Sequence, residues 1–147
     1  MFPGRGYDEV RIGDRFETTM TMTETHLVLG AGLFGDFNPL HLNQRFAEHS
    51  RYGSRIAHGY LTTSFMAAQL GMLFHGTAIA YLEHTSRFTA PVRAGDTLTI
   101  AWTVAACDDK PRHAGGIVTL SGLCTNQHGE KVAEADAKML VANNPRD

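Results

Sequence analysis

The chain has 147 residues, of which 43% are hydrophobic and 19% are charged, and its formal net charge is -2. This length and balance fit one folded domain with a sizeable core and exclude an intrinsically disordered chain. A slightly negative total charge provides no general attraction to nucleic acid or to an anionic membrane, so we expect neither as a partner. An anionic ligand must therefore be bound by a local group of cationic side chains.

The two cysteines, Cys107 and Cys124, are too few for a disulfide framework. Each lies in an apolar, strand-like run, where a cysteine is usually a small buried hydrophobe rather than a nucleophile. Residues 1–10 mix charged residues with Gly and Pro and lack the apolar core of a signal peptide. The sequence therefore predicts a protein of the reducing cytoplasm.

The first part of the chain predicts one strand and two helices. Apolar side chains alternate with threonines in the strand, and Thr23 or Thr25 is the expected N-cap of the helix that follows. A cluster of Gly, Asp, Asn and Pro then predicts a loop. The expected elements are a strand at 15–25, a helix that ends at Leu33, a loop at 35–42 and a short helix at 43–49.

Residues 56–74 contain no Lys, Arg, Asp or Glu, and their length is compatible with a membrane span. Polar residues such as Thr62, Ser64 and Gln69 interrupt the segment, however, and a glycine lies near its start. A helix that is apolar on nearly all sides in a soluble protein is buried in the middle of the fold. We therefore predict a central buried helix over residues 59–74.

The second half changes to a period of two, which is typical of strands with one buried face. Short turns separate four such segments, and strands joined by short turns favour an antiparallel meander. The predicted strands cover residues 79–90, 98–104, 118–124 and 133–141.

A wide antiparallel sheet with one apolar face needs a cover, and the helix at 59–74 is the segment large enough to provide it. The sequence therefore predicts a single α+β domain, with a core from about residue 10 to residue 142, in which an antiparallel sheet wraps around one long central helix. Pairing the edge strand of such a sheet with a second copy protects that edge, so we expect a homodimer.

The run GDFNPLH at residues 35–41 contains the two kinds of side chain that are most easily tuned for proton transfer near neutral pH. Pro39 fixes its own φ and restricts Asn38, so the loop can hold Asp36 and His41 on one small volume. A water between them can lose a proton to one group while the other supplies a proton elsewhere. On spacing alone, an equally good alternative is that Asp36 and Asn38 form turns and His41 starts a helix.

The run IAHGYLTTS at residues 56–64 begins the apolar helix. Gly59 leaves backbone N–H groups open to a ligand, and the helix dipole favours negative charge there, as an oxyanion hole does. Ser64 either orients the Asp36 carboxylate or, as helical serines often do, bonds back to the Tyr60 carbonyl. The second role is favoured for Ser64, and His58 is interpreted as a structural histidine.

The runs GDFNPLHLN and IAHGYLTTS, followed by YLEHTSRFTAPVRAGDTL, resemble the hydratase motif of MaoC-like dehydratases and (R)-specific enoyl-CoA hydratases. The similarity extends from about residue 10 to residue 141, and the first run is the most specific part. It implies a hot-dog fold, in which a sheet wraps around one long helix, and an assembly into dimers.

The resemblance also implies roles for individual residues. Asp36 and His41 match the catalytic pair that binds the attacking water, with Asp36 as the base and His41 as the proton donor to the α-carbon. Gly59 matches the position whose backbone N–H binds the thioester carbonyl. Ser64 matches the polar residue that supports the aspartate, and Asn38 holds the loop.

These residues predict the reversible syn addition of water to a trans-2-enoyl thioester, which gives a (3R)-hydroxyacyl thioester. Coenzyme A is then part of the substrate, and no bound cofactor is expected. A thioesterase on the same fold is the first alternative, although such an enzyme typically has an acidic base on its central helix, where residues 56–74 have none. A non-catalytic acyl-CoA-binding subunit is the second, and the presence of both Asp36 and His41 argues against it.

Two questions concern residues to which the resemblance assigns no role. The eight histidines include no HExxH motif or other recognisable zinc spacing, so we predict that no metal is needed. Glu83 and His84 lie where many members of the family have less charged residues, and Arg87 follows two positions after Thr85. Either Glu83 and Arg87 form a cross-strand ion pair of small energetic value, or they shape the acyl or CoA end of the site. The histidines expected at the surface or in helix caps are His26, His49, His75, His113 and His128.

Overall fold

A five-stranded antiparallel sheet wraps around one long helix in the computed structural model, which describes residues 4–144. This is the hot-dog arrangement that the sequence predicted. The strands are β1 (Arg15–Thr21), β2 (Ala78–Phe88), β3 (Thr97–Lys110), β4 (Gly115–Thr125) and β5 (Lys131–Ala142). The helices are α1 (Glu24–Phe34), α2 (Pro39–Leu42), α3 (Gln44–Glu48) and α4 (Gly59–Leu73), and short 3₁₀ turns cover Tyr7–Glu9 and Pro111–His113.

The strand order is β1-β3-β4-β5-β2, with every pair antiparallel. The predicted meander is therefore correct for β3, β4 and β5 and wrong for β2, which pairs with β5 at the far edge. The segment between β2 and β3 makes no hairpin, because it runs beside the start of α4, where Val92 accepts a hydrogen bond from the Ala57 N–H at 2.7 Å. Hydrophobic alternation with a period of two indicates that a segment is a strand, but it does not determine which strand lies next to it in the sheet.

The buried face of the sheet is the face that the alternation predicted. Trp102 on β3 is fully buried, and its Nε1–H donates to the Met66 carbonyl of α4 at 3.0 Å, so its polar group is satisfied. Each large apolar side chain buried in this way stabilises the fold by about 1.5–3 kcal/mol. The buried strand residues include Leu98, Ile100, Val104, Val118, Leu120, Cys124, Ala133, Ala135, Ala137, Met139 and Val141.

The first part of the chain follows the prediction with shifted boundaries. The first strand ends at Thr21, because Thr23 leaves the sheet and becomes the N-cap of α1. The segment predicted as a loop at 35–42 contains one helical turn, α2, because the Asn38 side chain accepts a hydrogen bond from the Leu40 N–H at 3.0 Å and so caps its start. Strand β3 is longer than predicted, since its pairing with β4 continues to Lys110.

No helix within residues 4–144 is both long enough and apolar enough to cross a membrane. The apolar segment forms α4, whose Met66 and Leu70 are completely buried under the sheet. The helix is therefore central as predicted, but it is buried on one face rather than on nearly all sides, since Tyr60 and Met72 are 75% and 68% exposed.

Candidate active site

Asp36 and His41 lie in a loop that is fixed by its own hydrogen bonds. Gly35 ends α1 with a φ of 71°, a left-handed conformation that suits glycine. The Asn38 N–H donates to Oδ1 of Asp36 at 3.1 Å, and the Asn38 carbonyl accepts from the His41 N–H at 2.9 Å. Asn38 therefore holds the loop through contacts on both sides, while its own side chain caps α2.

The Asp36 and His41 side chains face each other across a small gap. Nε2 of His41 is 3.8 Å from Oδ2 of Asp36, and the two side chains are 12% and 52% exposed, respectively. This distance is longer than a direct hydrogen bond, but one water can lie about 2.8 Å from both atoms. The gap thus fits a water that contacts the carboxylate and the imidazole together.

The orientation of the His41 ring is fixed by a contact with the backbone of Ile56. Its Nδ1 lies 2.8 Å from the Ile56 carbonyl oxygen, and the Ile56 N–H donates in turn to the Leu40 carbonyl at 3.1 Å. Since a carbonyl oxygen only accepts, Nδ1 carries a hydrogen and Nε2 is the atom left to exchange a proton with a ligand. The segment before α4 therefore determines which nitrogen faces Asp36.

His58 is the residue whose contacts sequence reasoning missed. It is 3% exposed, its Nε2 lies 3.0 Å from the Asp36 carbonyl oxygen, and its ring centroid is 3.8 Å from that of His41. The interpretation of His58 as a structural histidine describes its burial but omits both contacts. The available signal was its position directly before the glycine that opens the helix.

The first turn of α4 lies beside this group. Gly59 is the first helical residue, so its N–H lies beyond the reach of the carbonyls of the helix. Further along the first turn, the Leu61 and Thr62 amides donate to the His58 carbonyl at 3.0 and 3.3 Å. Ser64 donates to the Tyr60 carbonyl at 2.6 Å, which is the back-bonding that its helical position favoured.

A cavity of about 500 Å³ connects these groups. Its lining includes Asp36, His41, Gly59 and Ser64, which are four of the five predicted site residues. The fifth, Asn38, does not line the cavity. The other lining residues are Phe34, His58 and Tyr60.

A second cavity of about 380 Å³ shares Gly59 with the first one. Arg51 is the charged residue in its lining, and the Arg51 guanidinium carbon lies 5.7 Å from the centre of the Tyr52 ring. Thr62 and Thr89 add hydroxyl groups, and none of the lining residues is acidic. This cavity therefore suits an anionic or polar group better than an acyl chain.

Asp36, His41 and His58 are also the described residues whose potential metal-ligating atoms come together, within 4.8 Å of one another. The two imidazole planes are stacked at 31°, however. One nitrogen of each ring is also bonded to a backbone carbonyl oxygen, Nδ1 of His41 to that of Ile56 and Nε2 of His58 to that of Asp36, so each histidine has one nitrogen left for a ligand.

The charged residues of β2 form ion pairs with the neighbouring strand. Glu83 contacts Lys138 at 3.0 Å and Arg87 contacts Glu134 at 3.3 Å, in agreement with the register of β2 and β5. Of the two alternatives for Glu83 and Arg87, the structure thus shows cross-strand ion pairs, but each residue pairs with β5 and not with the other. All four side chains are substantially exposed, so each pair contributes little to stability.

His84 faces the opposite side of β2, toward α4. Its Nε2 lies 2.7 Å from Oγ1 of Thr63 and 2.9 Å from Oγ of Ser86, and its Nδ1 lies 2.6 Å from the Tyr81 hydroxyl. Burial lowers the pKa of His84 below its ordinary value and raises the pKa of Tyr81 to about 12. The described structure thus places a neutral, hydrogen-bonded network between β2 and the central helix.

Comparison with known proteins defines the class to which this fold and site belong. The family model described as a MaoC like domain matches residues 9–123. The (R)-specific enoyl-CoA hydratase of Rhodospirillum rubrum is 33% identical over 135 residues, which are 92% of this chain and 90% of that protein. The 3-hydroxybutyryl-CoA dehydratase of Methylorubrum extorquens is 32% identical over 92% of this chain and 82% of its own length.

A solved structure gives the same result in three dimensions. The unliganded R-hydratase of Pseudomonas aeruginosa superimposes with a TM-score of 0.85 at 31% identity, covering 96% of this chain and 88% of that one. The protein is accordingly an enzyme of the hydratase and dehydratase class. It belongs to the MaoC-like family.

Proposed function

We propose that the protein adds water reversibly to a trans-2-enoyl-CoA and gives a (3R)-hydroxyacyl-CoA, with Asp36 and His41 as the acid–base pair. The observation that carries this proposal is the 3.8 Å distance between His41 Nε2 and Asp36 Oδ2, which allows one water to contact both atoms. The names of the similar hydratases and dehydratases support the substrate and the stereochemistry. Both residues line the cavity that reaches the first turn of α4.

In the proposed reaction, the water oxygen attacks C3 of the enoyl thioester while the Asp36 carboxylate takes one of its protons. The electron pair of the C2=C3 bond moves toward C1, and negative charge develops on the thioester oxygen. The Gly59 N–H donates to that oxygen, because it lies at the start of α4 without a helical partner. Protonated His41 then gives its Nε2 proton to C2. The proton on Asp36 passes to His41 through the shared water position, and both groups return to their starting protonation states.

The geometry supports a syn addition. Asp36 and His41 come from one loop, and Gly59 belongs to the same cavity lining. The hydroxyl group from the water that this pair holds and the proton from His41 then reach the same face of the double bond. Effective proton transfer from positioned groups contributes about 10²–10⁴-fold to such a rate.

The second cavity supports coenzyme A as the carrier. Arg51 lies in it, and a guanidinium is well suited to phosphate oxygens. Since the formal net charge of the chain is -2, this local cation matters more than the total charge for an anionic substrate. We place the nucleotide-bearing part of the thioester on the Arg51 side of Gly59 and the acyl part on the side of Phe34 and Tyr60.

Thioester hydrolysis on the same fold is the competing reaction. In the described structure, α4 carries no acidic residue between Gly59 and Leu73, so this helix offers no carboxylate base. The carboxylate near Gly59 is Asp36, and it lies next to a histidine rather than alone. This pairing favours hydration, for which a proton must be both removed and delivered.

We also propose a homodimer, formed through the edge of β2. That strand is last in the sheet order, and its large apolar residues Ile79, Tyr81 and Leu82 are 48%, 39% and 49% exposed. An exposed apolar edge of this kind is normally covered, and a second copy is the economical cover.

The test of the proposed reaction follows the loss of the enoyl-thioester absorbance of crotonyl-CoA with wild-type protein, Asp36→Asn and His41→Ala. We expect turnover by the wild type and a loss of about 100-fold or more in kcat for each variant. Asp14→Asn and His113→Ala, which change an exposed turn and a 3₁₀ turn, are the matched controls. Release of free CoA without hydration would instead identify a thioesterase.

A further inference from the structure

His58 touches three parts of the proposed site at once. Its Nε2 lies 3.0 Å from the Asp36 carbonyl oxygen, and its ring lies against the His41 ring with centroids 3.8 Å apart. It is also the N-cap residue of α4, directly before Gly59. A side chain in this place fixes the relative positions of the carboxylate, the imidazole and the first helical N–H.

The hydrogen bond determines which nitrogen of His58 carries a hydrogen. A carbonyl oxygen only accepts, so Nε2 is the donor to Asp36. In the neutral ring Nδ1 is then bare, and it is buried without a hydrogen-bond partner among residues 4–144. His58 therefore has no proton to exchange with a substrate: one nitrogen is committed to the backbone, and the other is closed to solvent.

The ring is held in this position by its neighbours. Phe34, at the end of α1, meets His58 edge to face with centroids 5.7 Å apart. The His41 ring, whose Nδ1 is bonded to the Ile56 carbonyl, also packs against His58. The three aromatic rings thus link the end of α1, the catalytic loop and the start of α4.

We propose that His58 is a positioning residue for the hydration reaction, whose Nε2–H holds the backbone of Asp36 while its ring supports one face of His41. The kinetic part of this inference rests on the proposed function. Without the hydrogen bond, the Asp36 carbonyl is free to turn, and its carboxylate moves away from the gap that it shares with His41. A displacement of about 1 Å is sufficient to cost about 100-fold in rate.

Two substitutions separate the hydrogen bond from burial. His58→Phe keeps a buried planar ring and removes the N–H donor, whereas His58→Gln keeps an amide N–H that reaches about as far as Nε2. We expect kcat for His58→Phe to fall by about 10- to 100-fold with KM within about threefold of wild type, and His58→Gln to recover most of that loss. A kcat for His58→Phe within about threefold of wild type, or a glutamine variant no better than phenylalanine, overturns the inference.

A double variant tests whether His58 acts through Asp36. If it does, adding His58→Phe to Asp36→Asn lowers kcat by less than about twofold further, because the group that it positions is already lost. If the loss of kcat in the double variant equals the product of the losses in the two single variants, the inference is contradicted. His75→Phe is the matched control, since His75 also bonds a backbone carbonyl, that of Met72 at 3.2 Å, but at the opposite end of α4.

Amide hydrogen exchange gives a readout that needs no turnover. The Asn38 and His41 amides belong to the loop that His58 holds. We expect them to exchange about tenfold faster in His58→Phe and at nearly the wild-type rate in His58→Gln. If wild-type protein fails to hydrate enoyl-CoA, the proposed function is wrong, and this measurement still decides the role of His58.

Unchanged exchange in the phenylalanine variant overturns the positioning role. His58→Asn provides a second variant without the donor, because its shorter amide does not reach the Asp36 carbonyl. It is measured beside His58→Phe, so that a folding defect in one variant leaves the other to decide. Melting temperatures show which variants are folded.

Discussion

The ring of Phe88 closes over Gly59, so that a Cβ added at residue 59 would lie 2.9 Å from Cε2 of that ring. Phe88 is the last residue of β2, and Gly59 is the first residue of α4. The close approach therefore joins the edge of the sheet to the helix start that we assign to the thioester oxygen. It leaves room for a glycine and for no larger residue unless the ring moves.

Gly59→Ala is expected to displace the Phe88 ring and to lower kcat/KM by about 10- to 100-fold, because the helix start shifts relative to Asp36. Phe88→Leu in the same chain provides room for the added methyl group. A double-mutant cycle on kcat/KM should then show a positive coupling, with the double variant more active than Gly59→Ala alone. Strict additivity would show that the ring contact has no part in the loss.

Gly122 provides a comparable test of the core. A Cβ at this position would lie 2.8 Å from the fully buried Trp102 ring. We expect Gly122→Ala to destabilise the fold by about 1–3 kcal/mol, since the indole has no space to move. Gly71→Ala is the matched control: no atom lies within 4 Å of its added Cβ, and alanine is the better helix former by about 0.5–1 kcal/mol.

Denaturant unfolding of both variants checks this prediction. The free energy of unfolding should fall for Gly122→Ala and should stay equal or rise for Gly71→Ala. Equal behaviour of the two variants would mean that Trp102 relaxes without cost.

His84 predicts a pH dependence of stability. Burial holds its pKa below the ordinary value of 6.5, so the unfolded chain binds more protons than the folded one between those two values. Its contribution is therefore fully present above the unfolded pKa and is lost as the pH falls below it. We expect the melting temperature to decrease less between pH 7 and pH 5 in His84→Gln than in wild type.

The comparison needs a histidine outside the network of His84, Thr63, Ser86 and Tyr81. His128→Gln changes an exposed turn residue and should keep the wild-type slope. An identical slope in His84→Gln and wild type would assign the acid sensitivity to other groups.

The proposed dimer is tested at Leu82. Light scattering should give twice the chain mass of 16.1 kDa for wild-type protein. Leu82→Lys should shift the population to the monomer, because a charge would be buried against the partner's apolar edge. Leu123→Lys is the control, since Leu123 on β4 is 41% exposed and lies away from the β2 edge. Equal effects of both substitutions would place the interface elsewhere.

The sequence by itself determined the elements whose signals are local. Alternation in β3, β4 and β5 predicted the buried residues because successive side chains of a strand point to opposite faces. The charge-free run predicted the central helix because charged side chains are rarely buried, although the structure buries one face of that helix rather than all sides. The spacing of Asp36 and His41 allowed a facing pair and a pair of turn formers equally well, and the resemblance to MaoC-like hydratases favoured the facing pair.

Only the tertiary structure decided what depends on residues far apart in the chain. The pairing of β2 with β5, and not with the next strand, is one case, because hydrophobic period carries no information about the partner. The contact of His41 with the Ile56 carbonyl and that of His58 with the Asp36 carbonyl are others. Each depends on how the loop at residues 35–41 docks on the start of α4, and docking is a property of the packed core rather than of local backbone preference.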